Sequence, residues 1–429
     1  MGLIMMNRKI FNLLKSMIVF IFCVFAIYML FTKIDNQALT VAVDTKTGTF
    51  KTRFSEDEIA QMSQFEIPIA GADINKIREI RVYRYFETVC VDKITTADID
   101  RYTTVQNETF VFNDNACELL RRNSKSFLFE RVFIIEVMLA VAIFVWIFIN
   151  AIEERSNPEN RDNHGPIHEI KRFCNDIIRY WQFMNYAAKA DLRAEVANSY
   201  LNRLWWLLEP LFSMLVYVIV FGRIMGNSVE NYATYTFSAL LMWTFFSKAI
   251  NYSVKCVRNN RDIVTKVYVP KHVLLISNMI LNMYKLVFSL IVLIPMLIIF
   301  KVNIGLCVLG VIPAYVLMIL LSFGPGMILL HFGVYIDDLA YAVNILLQML
   351  MFLSGIFYDV ITSLPTPLNT LMLEANPVSM FVDTMRNALL NNLVSNVPLV
   401  ILWTILAVEF CYIGVHIVYK NENGYVKVV

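Results

Sequence analysis

Acidic side chains inside or beside apolar runs are the residues best placed to do chemistry in this chain. Glu409 lies in the middle of such a run, between Val408 and Phe410. A charge at the centre of a bilayer costs at least about 2.5–3.5 kcal/mol, so this carboxylate should face another helix or a wet cavity. There it would be either a substrate contact or a partner for a neighbouring polar group. Asp337 and Asp338 end another run, which predicts a position at the cytoplasmic surface.

The motifs that carry common enzymatic chemistry are absent from the sequence. There is no G-x-x-x-x-G-K-[ST] loop to cradle phosphates, no G-x-S-x-G turn and no H-E-x-x-H motif. His164 and His168 are four residues apart, but Pro166 between them breaks a shared helical face. None of the seven Cys forms a C-x-x-C pair. We therefore expect this chain to bind no metal and no cofactor, and to draw energy from another subunit.

Composition indicates the kind of protein that must position these residues. Hydrophobic residues make up 58% of the 429 residues and charged residues 17%, whereas soluble domains average about 45–50% and about 25%. The mean hydropathy is +0.57. The net charge of +2 gives no overall basic field for nucleic acid. These values exclude an ordinary soluble enzyme and predict a polytopic membrane protein.

The first part of the chain reads as a two-span module. Its apolar run from Ile10 to Phe31 is long enough to cross a membrane and lacks the small-x-small pair of a cleaved signal peptide. Basic residues before the run place the N-terminus inside. Alternating segments at 39–43, 80–83 and 109–112 predict strands of a small α+β domain outside the membrane. In that domain, Cys90 and Cys117 would either pair in an oxidising compartment or remain two buried thiols.

The second part reads as a six-span core. An amphipathic pattern from Phe173 to Arg203 predicts a helix in the plane of the membrane interface. Apolar runs follow at 207–225, 233–253, 272–300, 305–334, 339–358 and 397–418. Basic residues crowd the loop 254–271, which the positive-inside rule places in the cytoplasm together with both ends of this part. The apolar but proline-containing segment 359–396 predicts either short helices dipping back from the outer side or an ordinary outer loop.

These boundaries give a predicted domain organisation. The segments are 1–33, an N-terminal membrane anchor; 34–126, an extracytoplasmic α+β domain; 127–152, a second membrane span; 153–172, a cytoplasmic linker; and 173–429, the six-span domain.

Several segments of the second part resemble the ATP-binding-cassette exporter permeases that move O-antigen, capsule and teichoic acid polymers. They are Asp191-Leu192-Arg193, the run from Ser199 to Trp205, Glu209-Pro210, the run from Trp243 to Phe246, the run from Asn260 to Pro270, Leu347-Gln348, the run from Ser354 to Tyr358, and Asn376-Pro377 with Arg386. The resemblance covers about residues 173–420. Where the family usually has a glycine this chain has Asn202, and where it usually has a proline in the fifth span the chain has Gly355. The usual Arg-Asp at the inner end of the fourth core span is Asp337-Asp338 here, which removes a positive charge where an ATPase would dock.

The resemblance implies an all-α permease that works as a homodimer with two separate ATPase subunits, which would bind ATP and Mg²⁺. It implies roles for three groups of residues. ATPase coupling would involve Arg258, Asn260, Arg261, Asp262, Lys266 and Pro270. The gate or interfacial region would contain Arg193, Ser199, Leu201, Trp205 and Pro210. The substrate channel would present Tyr232, Tyr235, Phe237 and Tyr358 to the sugars of a lipid-linked glycan, with Glu409 as a further contact.

The resemblance also implies a place in the cell, which is the cytoplasmic membrane of a bacterium, with both termini inside. Three other functions compete with polymer export, and one of them, a receptor or scaffold that uses the outer domain, would leave the six-span core unexplained. A related permease could export a drug or a small lipid, and would need no wide aromatic channel. A membrane glycosyltransferase would need paired acids at a membrane surface, and only Asp337-Asp338 comes close.

Overall fold

The architecture is that of a computed structural model. It describes residues 2–31, 38–45, 49–55, 58–59, 62–68, 77–84, 89–95, 102–106, 109–117, 120, 128–156, 166–197, 199–226, 231–300, 302, 305–364, 368–390 and 397–428.

Two long helices flank the small domain in the chain. They are α1, Gly2–Phe31, and α2, Leu128–Ser156, and they pack against each other. At about 1.5 Å per residue, helices of 30 and 29 residues are longer than the hydrocarbon core of about 30 Å, but the apolar stretch described in α1, Leu13–Ile27, is shorter than a full span. The apolar part of α2, Val132–Asn150, is a candidate membrane span.

Seven strands form the small domain between these helices. They are β1, Ala38–Thr45; β2, Thr49–Ser55; β3, Phe65–Pro68; β4, Ile77–Arg84; β5, Val89–Thr95; β6, Thr103–Gln106; and β7, Thr109–Phe112. One antiparallel sheet has the order β2-β1-β4-β5 and the other the order β3-β7-β6. The three segments predicted to be strands are strands.

Alternation along the strands builds the core of this domain. Leu39, Val41 and Val43 are buried on one face of β1, next to Ile80 and Val82 of β4. Successive side chains of a strand point to opposite faces, so this spacing of two places the three larger apolar side chains on one face. Cys117 is buried in the same core, whereas the side chain of Cys90 lies outside the described residues, so their pairing remains a prediction.

The amphipathic helix α3, Pro166–Val196, begins earlier and ends earlier than the pattern predicts. It begins at a proline because that residue suits the first turn, where its missing N–H has no helical partner to lose. The linker predicted at 153–172 is shortened from both sides, because α2 continues to Ser156. Buried side chains recur every four residues along one face of α3, and they are Met184, Ala188, Leu192 and Val196.

Helices make up the rest of the chain. They are α4, Trp205–Tyr217; α5, Tyr232–Asn259; α6, Arg261–Lys266; α7, Lys271–Ile299; α8, Val311–Tyr335; α9, Leu339–Leu353; α10, Val360–Ser363; α11, Leu368–Ala375; α12, Pro377–Leu389; and α13, Val397–Val428. A π-helical segment, Val218–Ile224, extends α4, and short 3₁₀ turns precede α4 and α8. Helix α8 is central and packs against α5, α12 and α13.

Among the described residues, five helices are long and apolar enough to cross a membrane. They contain Val132–Asn150, Trp205–Ile224, Lys271–Ile299, Cys307–Tyr335 and Val397–Val428. Helix α5 is long but less apolar, because it contains polar residues such as Thr234, Thr236 and Ser238. These three side chains are buried against protein. Helix α9 has 15 residues, fewer than the predicted run. The chain is a multi-pass membrane protein with a mainly helical fold.

Close contact between α8 and α13 depends on a glycine. A Cβ atom on Gly324 would lie 2.8 Å from the backbone nitrogen of Cys411 and 2.9 Å from the carbonyl carbon of Phe410. Such distances do not occur between real Cβ atoms and backbone, so only glycine allows this approach. Gly324 and the adjacent Pro325 lie inside α8, and Gly324 forms part of its contact surface with α13.

Candidate functional site

Helices α5 and α7 form a hairpin, and the basic loop connects them. Helix α5 ends at Asn259, the six-residue helix α6 follows, and α7 begins at Lys271. Asn260 shapes the corner, since its side-chain amide donates to the Tyr252 hydroxyl at 2.7 Å and to the Cys256 carbonyl at 2.8 Å. Its own carbonyl accepts from the amide of Val264 at 2.9 Å. Asn260 therefore positions α6 rather than presenting a free contact.

Two further residues predicted to contact the ATPase are engaged within the chain. Arg258 forms an ion pair with Asp337 and donates to the Val334 carbonyl at 3.0 Å, which ties the end of α5 to the end of α8. Pro270 is buried at the start of α7, where its carbonyl accepts from the amide of Val273 at 3.0 Å. Both residues therefore hold the hairpin in place.

The outward face of α6 is the part of the loop that is available to a partner. Arg261, Asp262 and Lys266 are exposed, while Val264 is buried against the bundle. Val267 and Tyr268 continue the exposed face, each with 59% of its surface accessible. We call these five exposed residues, Arg261, Asp262, Lys266, Val267 and Tyr268, the coupling surface.

Tyr268 also belongs to a polar cluster that joins three elements. Arg172 of α3 donates to the Tyr268 hydroxyl oxygen at 2.9 Å and to Glu422 of α13 at 3.0 Å, and the Tyr268 hydroxyl donates to the same carboxylate at 3.1 Å. The Arg172 guanidinium lies 4.0 Å from the ring centre of Tyr419. Partial burial and the Glu422 carboxylate raise the pKa of Tyr268, so its hydroxyl remains a donor at neutral pH.

This cluster was not predicted, and no local pattern could have revealed it. Arg172 and Glu422 are 250 residues apart in the chain, and Arg172 and Tyr268 are 96 apart. The consequence is that α3 and α13 are mechanically connected to the coupling surface.

The residues predicted for the gate or interfacial region lie along the turn from α3 to α4. Arg193 is exposed, Ser199 is half-buried, and Leu201 and Trp205 are each 41% accessible. Asn202 between them has a φ of 45°, a left-handed conformation that asparagine tolerates better than other non-glycine residues. This explains why asparagine can stand where the related permeases usually have glycine.

Pro210, the last of these predicted residues, lines a groove between α4, α5 and α7. In this groove the Lys248 ammonium lies 3.4 Å from a Glu209 oxygen, and the Lys285 ammonium lies 2.5 Å from a Glu195 oxygen. Trp206 and Asn282 also line it. We call this feature, defined by Glu195, Trp206, Glu209, Lys248, Asn282 and Lys285, the lysine groove.

The lysine groove was missed in the sequence although a signal was present. Lys248 and Lys285 each lie inside a predicted apolar run, and an ionisable residue in such a run is a functional candidate by default. What the sequence could not give is their pairing, because each partner glutamate comes from a different helix.

The aromatic residues predicted to line a channel are mostly internal supports. Phe237 is completely buried in the helical core, so in this structure it presents no face to a sugar. The buried Tyr232 hydroxyl donates to the Phe357 carbonyl at 2.7 Å, and the Tyr235 hydroxyl donates to the Tyr358 carbonyl at 3.1 Å. Tyr358 itself is half-buried, with its hydroxyl donating to the Phe352 carbonyl at 2.8 Å.

Arg386 of α12 organises these aromatics from within. Its guanidinium donates to the carbonyls of Gly355 at 2.6 Å and Ile356 at 2.7 Å, and to the Tyr235 carbonyl at 3.2 Å. Its carbon Cζ lies 3.4 Å from the Tyr235 ring centre. Gly355 has a φ of 66°, which explains the absence of the proline that the related permeases usually have there.

Glu409, the isolated acid of the last helix, is buried on α13. One of its carboxylate oxygens, Oε2, has no hydrogen-bond partner among the described residues. The two predicted roles, substrate contact and internal polar partner, therefore both remain open.

Comparison with known proteins identifies the domain that carries these features. Residues 184–390 match the family described as ABC-2 type transporter. The O-antigen export system permease protein RfbA of Myxococcus xanthus is 28% identical over 211 residues, which cover 48% of this chain and 80% of that protein. Two proteins of the same name from Klebsiella pneumoniae are each 22% identical over 169 residues, covering 39% of this chain and 65% of each relative.

We call residues 184–390, the part of the chain that matches this family, the ABC-2 domain. This ABC-2 domain begins within α3 and ends after α12, so it contains the whole coupling surface. Arg172 and Glu422, to which Tyr268 is hydrogen-bonded, lie outside it. It also contains the whole lysine groove and the Arg386 site. The two helices and seven strands of the N-terminal part precede the match.

Proposed function

We propose that this chain is the permease subunit of an ATP-driven exporter that moves a lipid-linked polysaccharide across the cytoplasmic membrane. The observation that carries the proposal is the ABC-2 domain, whose matched relatives bear the name of O-antigen export permeases. The multi-pass helical fold, with its five apolar helices, is of the kind that such transport requires.

A separate ATPase subunit is the partner that the coupling surface fits. The face of α6 is exposed, mixed in charge and small, while Asn260, Arg258 and Pro270 hold it rigidly against the bundle. Charged exposed residues on a fixed helix suit docking into a complementary cleft. ATP and Mg²⁺ would bind on that partner, and closure of two ATPases would push on α6.

Movement of α6 would reach the rest of the permease through the Tyr268 cluster. Tyr268 joins Arg172 of α3 and Glu422 of α13, so a displacement of the hairpin is felt at both helices. The end of α5 is joined to α8 through Arg258. These links would transmit the ATPase stroke to the helices that enclose the substrate path.

A second copy of this chain would complete the path for the polymer. Exposed apolar side chains remain along α4 and α9, such as Phe212, Tyr341 and Ile345. They would face lipid or the second protomer of a homodimer. The N-terminal module, with its domain on the outer side and both chain ends in the cytoplasm, would be an addition to this core.

Co-purification and glycan export together test the proposal. The tagged full chain should bring down an ATPase subunit from its native cell, and loss of the chain should remove a surface glycan. The double variant Arg261→Glu and Asp262→Lys should reduce both, whereas Glu66→Lys, an exposed charge change in the small domain, should reduce neither. If no ATPase is recovered and the surface glycan is unchanged, the proposal is wrong.

A further inference from the structure

The lysine groove concentrates hydrogen-bond donors in an otherwise apolar helix bundle. Lys248 and Lys285 line it together with the buried amide of Asn282. A second cavity continues from the same lysines past Asn251 and Asn278 towards Glu195. The Trp206 side chain also lines the groove and is more than nine-tenths buried, and its Nε1 has no hydrogen-bond partner among the described residues.

The depth of the groove is set by the helix that borders it. The span Trp205–Ile224 has 20 residues, or about 30 Å at 1.5 Å per residue, which is just the thickness of the hydrocarbon core. The first turns of α4 therefore lie at one membrane surface, and Glu209 there contacts Lys248. From Lys248, α5 continues to the coupling surface, so this surface is the cytoplasmic one if the proposed function is correct. Lipid phosphates lie at this level.

The two carboxylates in the groove are more accessible than the lysines they hold. Glu209 is 60% accessible against 39% for Lys248, and Glu195 is 44% accessible against 17% for Lys285. An ammonium group offers three donors, more than one carboxylate contact uses. An incoming anion can therefore displace either carboxylate towards water while the ammonium groups stay in place.

We propose that the lysine groove binds the phosphate or diphosphate headgroup of a lipid at the cytoplasmic surface. Lys248 and Lys285 would exchange Glu209 and Glu195 for headgroup oxygens, with Asn282 as an additional donor. The inference rests on the proposed function and names the part of the substrate that is recognised first. Because Glu195 belongs to α3 and Glu209 to α4, the exchange also releases the turn between these helices from α7 and α5.

Lipid binding to the full chain with its ATPase, in phosphatidylcholine nanodiscs, tests the proposal. The probe is phosphatidic acid, compared with diacylglycerol, which lacks the phosphate. Lys248→Gln and Lys285→Gln should each weaken binding of phosphatidic acid about tenfold, the effect of one lost charge-assisted contact. Glu209→Gln and Glu195→Gln should strengthen it several-fold, because the competing carboxylate is gone. Lys420→Gln, an exposed lysine on α13, should leave it unchanged.

The opposite signs of the lysine and glutamate variants separate a binding site from a structural ion pair. If Lys→Gln and Glu→Gln weaken binding alike, or if neither changes it, the proposal is wrong. Lys→Arg variants keep the charge and should keep binding, which covers the case in which a glutamine variant fails to fold. Competition by soluble inorganic diphosphate would assign the phosphate itself as the ligand, and its failure to compete would assign the lipid-anchored headgroup.

The result is independent of whether the chain exports a glycan. Binding that follows the predicted signs in a chain that exports no glycan would leave the groove standing and overturn the proposed function. If the Lys248→Gln and Lys285→Gln chains export glycan normally and bind phosphatidic acid like the wild type, the groove proposal is overturned and the proposed function stands.

Discussion

Two groups of charged residues in the ABC-2 domain have opposite surroundings, because one is buried and the other exposed. Arg386 is buried, donates to three backbone carbonyls beside one aromatic ring and has the carboxylates of Asp359 and Asp383 nearby, so it holds α12 against α5 and the turn after α9. Arg261 and Asp262 are exposed on α6, so both are available to a partner. The sequence pattern predicted both places but could not tell an enclosed arginine from an exposed one.

Replacing Arg386 should destabilise the protein. Arg386→Gln would leave the carbonyls of Gly355, Ile356 and Tyr235 without their donor, and each unsatisfied buried group costs about 1–3 kcal/mol. We expect a loss of at least about 3 kcal/mol in the free energy of unfolding, measured by thermal melting in detergent. Arg223→Gln changes an exposed arginine and should melt with the wild type. Equal melting of both variants would contradict the supporting role.

Reversing the charge of Asp262 should weaken the ATPase complex without affecting the fold. Since Asp262 is exposed, Asp262→Lys breaks no described contact, but it should lower affinity for the ATPase about tenfold. The measurement is the dissociation constant of the purified partners, with thermal melting alongside. Glu66→Lys makes the same charge change on the small domain and serves as the control. An unchanged dissociation constant for Asp262→Lys would remove α6 from the interface.

Elements of this fold are predicted well when they depend on the local pattern and poorly when they depend on a distant partner. The amphipathic helix α3, the strands β1, β4 and β7, and the long apolar helices follow from periodicity and length. The start of α3 does not follow from them, and neither does the pairing of each lysine, Lys248 and Lys285, with its glutamate. These features depend on how the helices pack against each other. The burial of helix α5 also depends on its neighbouring helices. Its threonines are buried against them, so the polarity of α5 did not indicate an exposed helix.

The contact between α8 and α13 should fail when Gly324 gains a side chain. Gly324→Val would place atoms against the backbone at Phe410 and Cys411, forcing the helices apart at a cost of about 1–3 kcal/mol or more. We expect a lower melting temperature and loss of transport. Gly326→Ala lies two residues away on the same helix, where a Cβ would meet Leu275 Cδ2 at a tolerable 3.4 Å, and should behave like the wild type. If both variants melt alike, the close approach is not important.

The whole molecule joins the ABC-2 domain to two long helices and a small β domain. Composition and hydropathy predicted this division, since 58% of the chain is hydrophobic and the polar residues are concentrated in a few segments. The lysine groove and the Tyr268 cluster lie outside what composition can reveal, since each combines residues from several helices.

Labelling with a membrane-impermeant maleimide should establish the orientation of the chain. The exposed native Cys174 on α3 should react only in inside-out vesicles, because α3 leads to the coupling surface. A cysteine introduced by Lys51→Cys, at an exposed position of β2, should react only in intact cells. Cys174→Ser serves as the background for the second measurement. Labelling of both sites from the same side would contradict the predicted topology.

The most direct test of the central claim is export in a purified system. The full chain and its ATPase are reconstituted into liposomes that contain a lipid-linked oligosaccharide, and the fraction accessible to an external glycosidase is followed after ATP is added on the cytoplasmic side. We expect ATP to drive loss of accessible substrate from that side, and Asp262→Lys to slow this loss. An ATP-independent distribution of the glycolipid, identical with and without the chain, would contradict a role as its export permease.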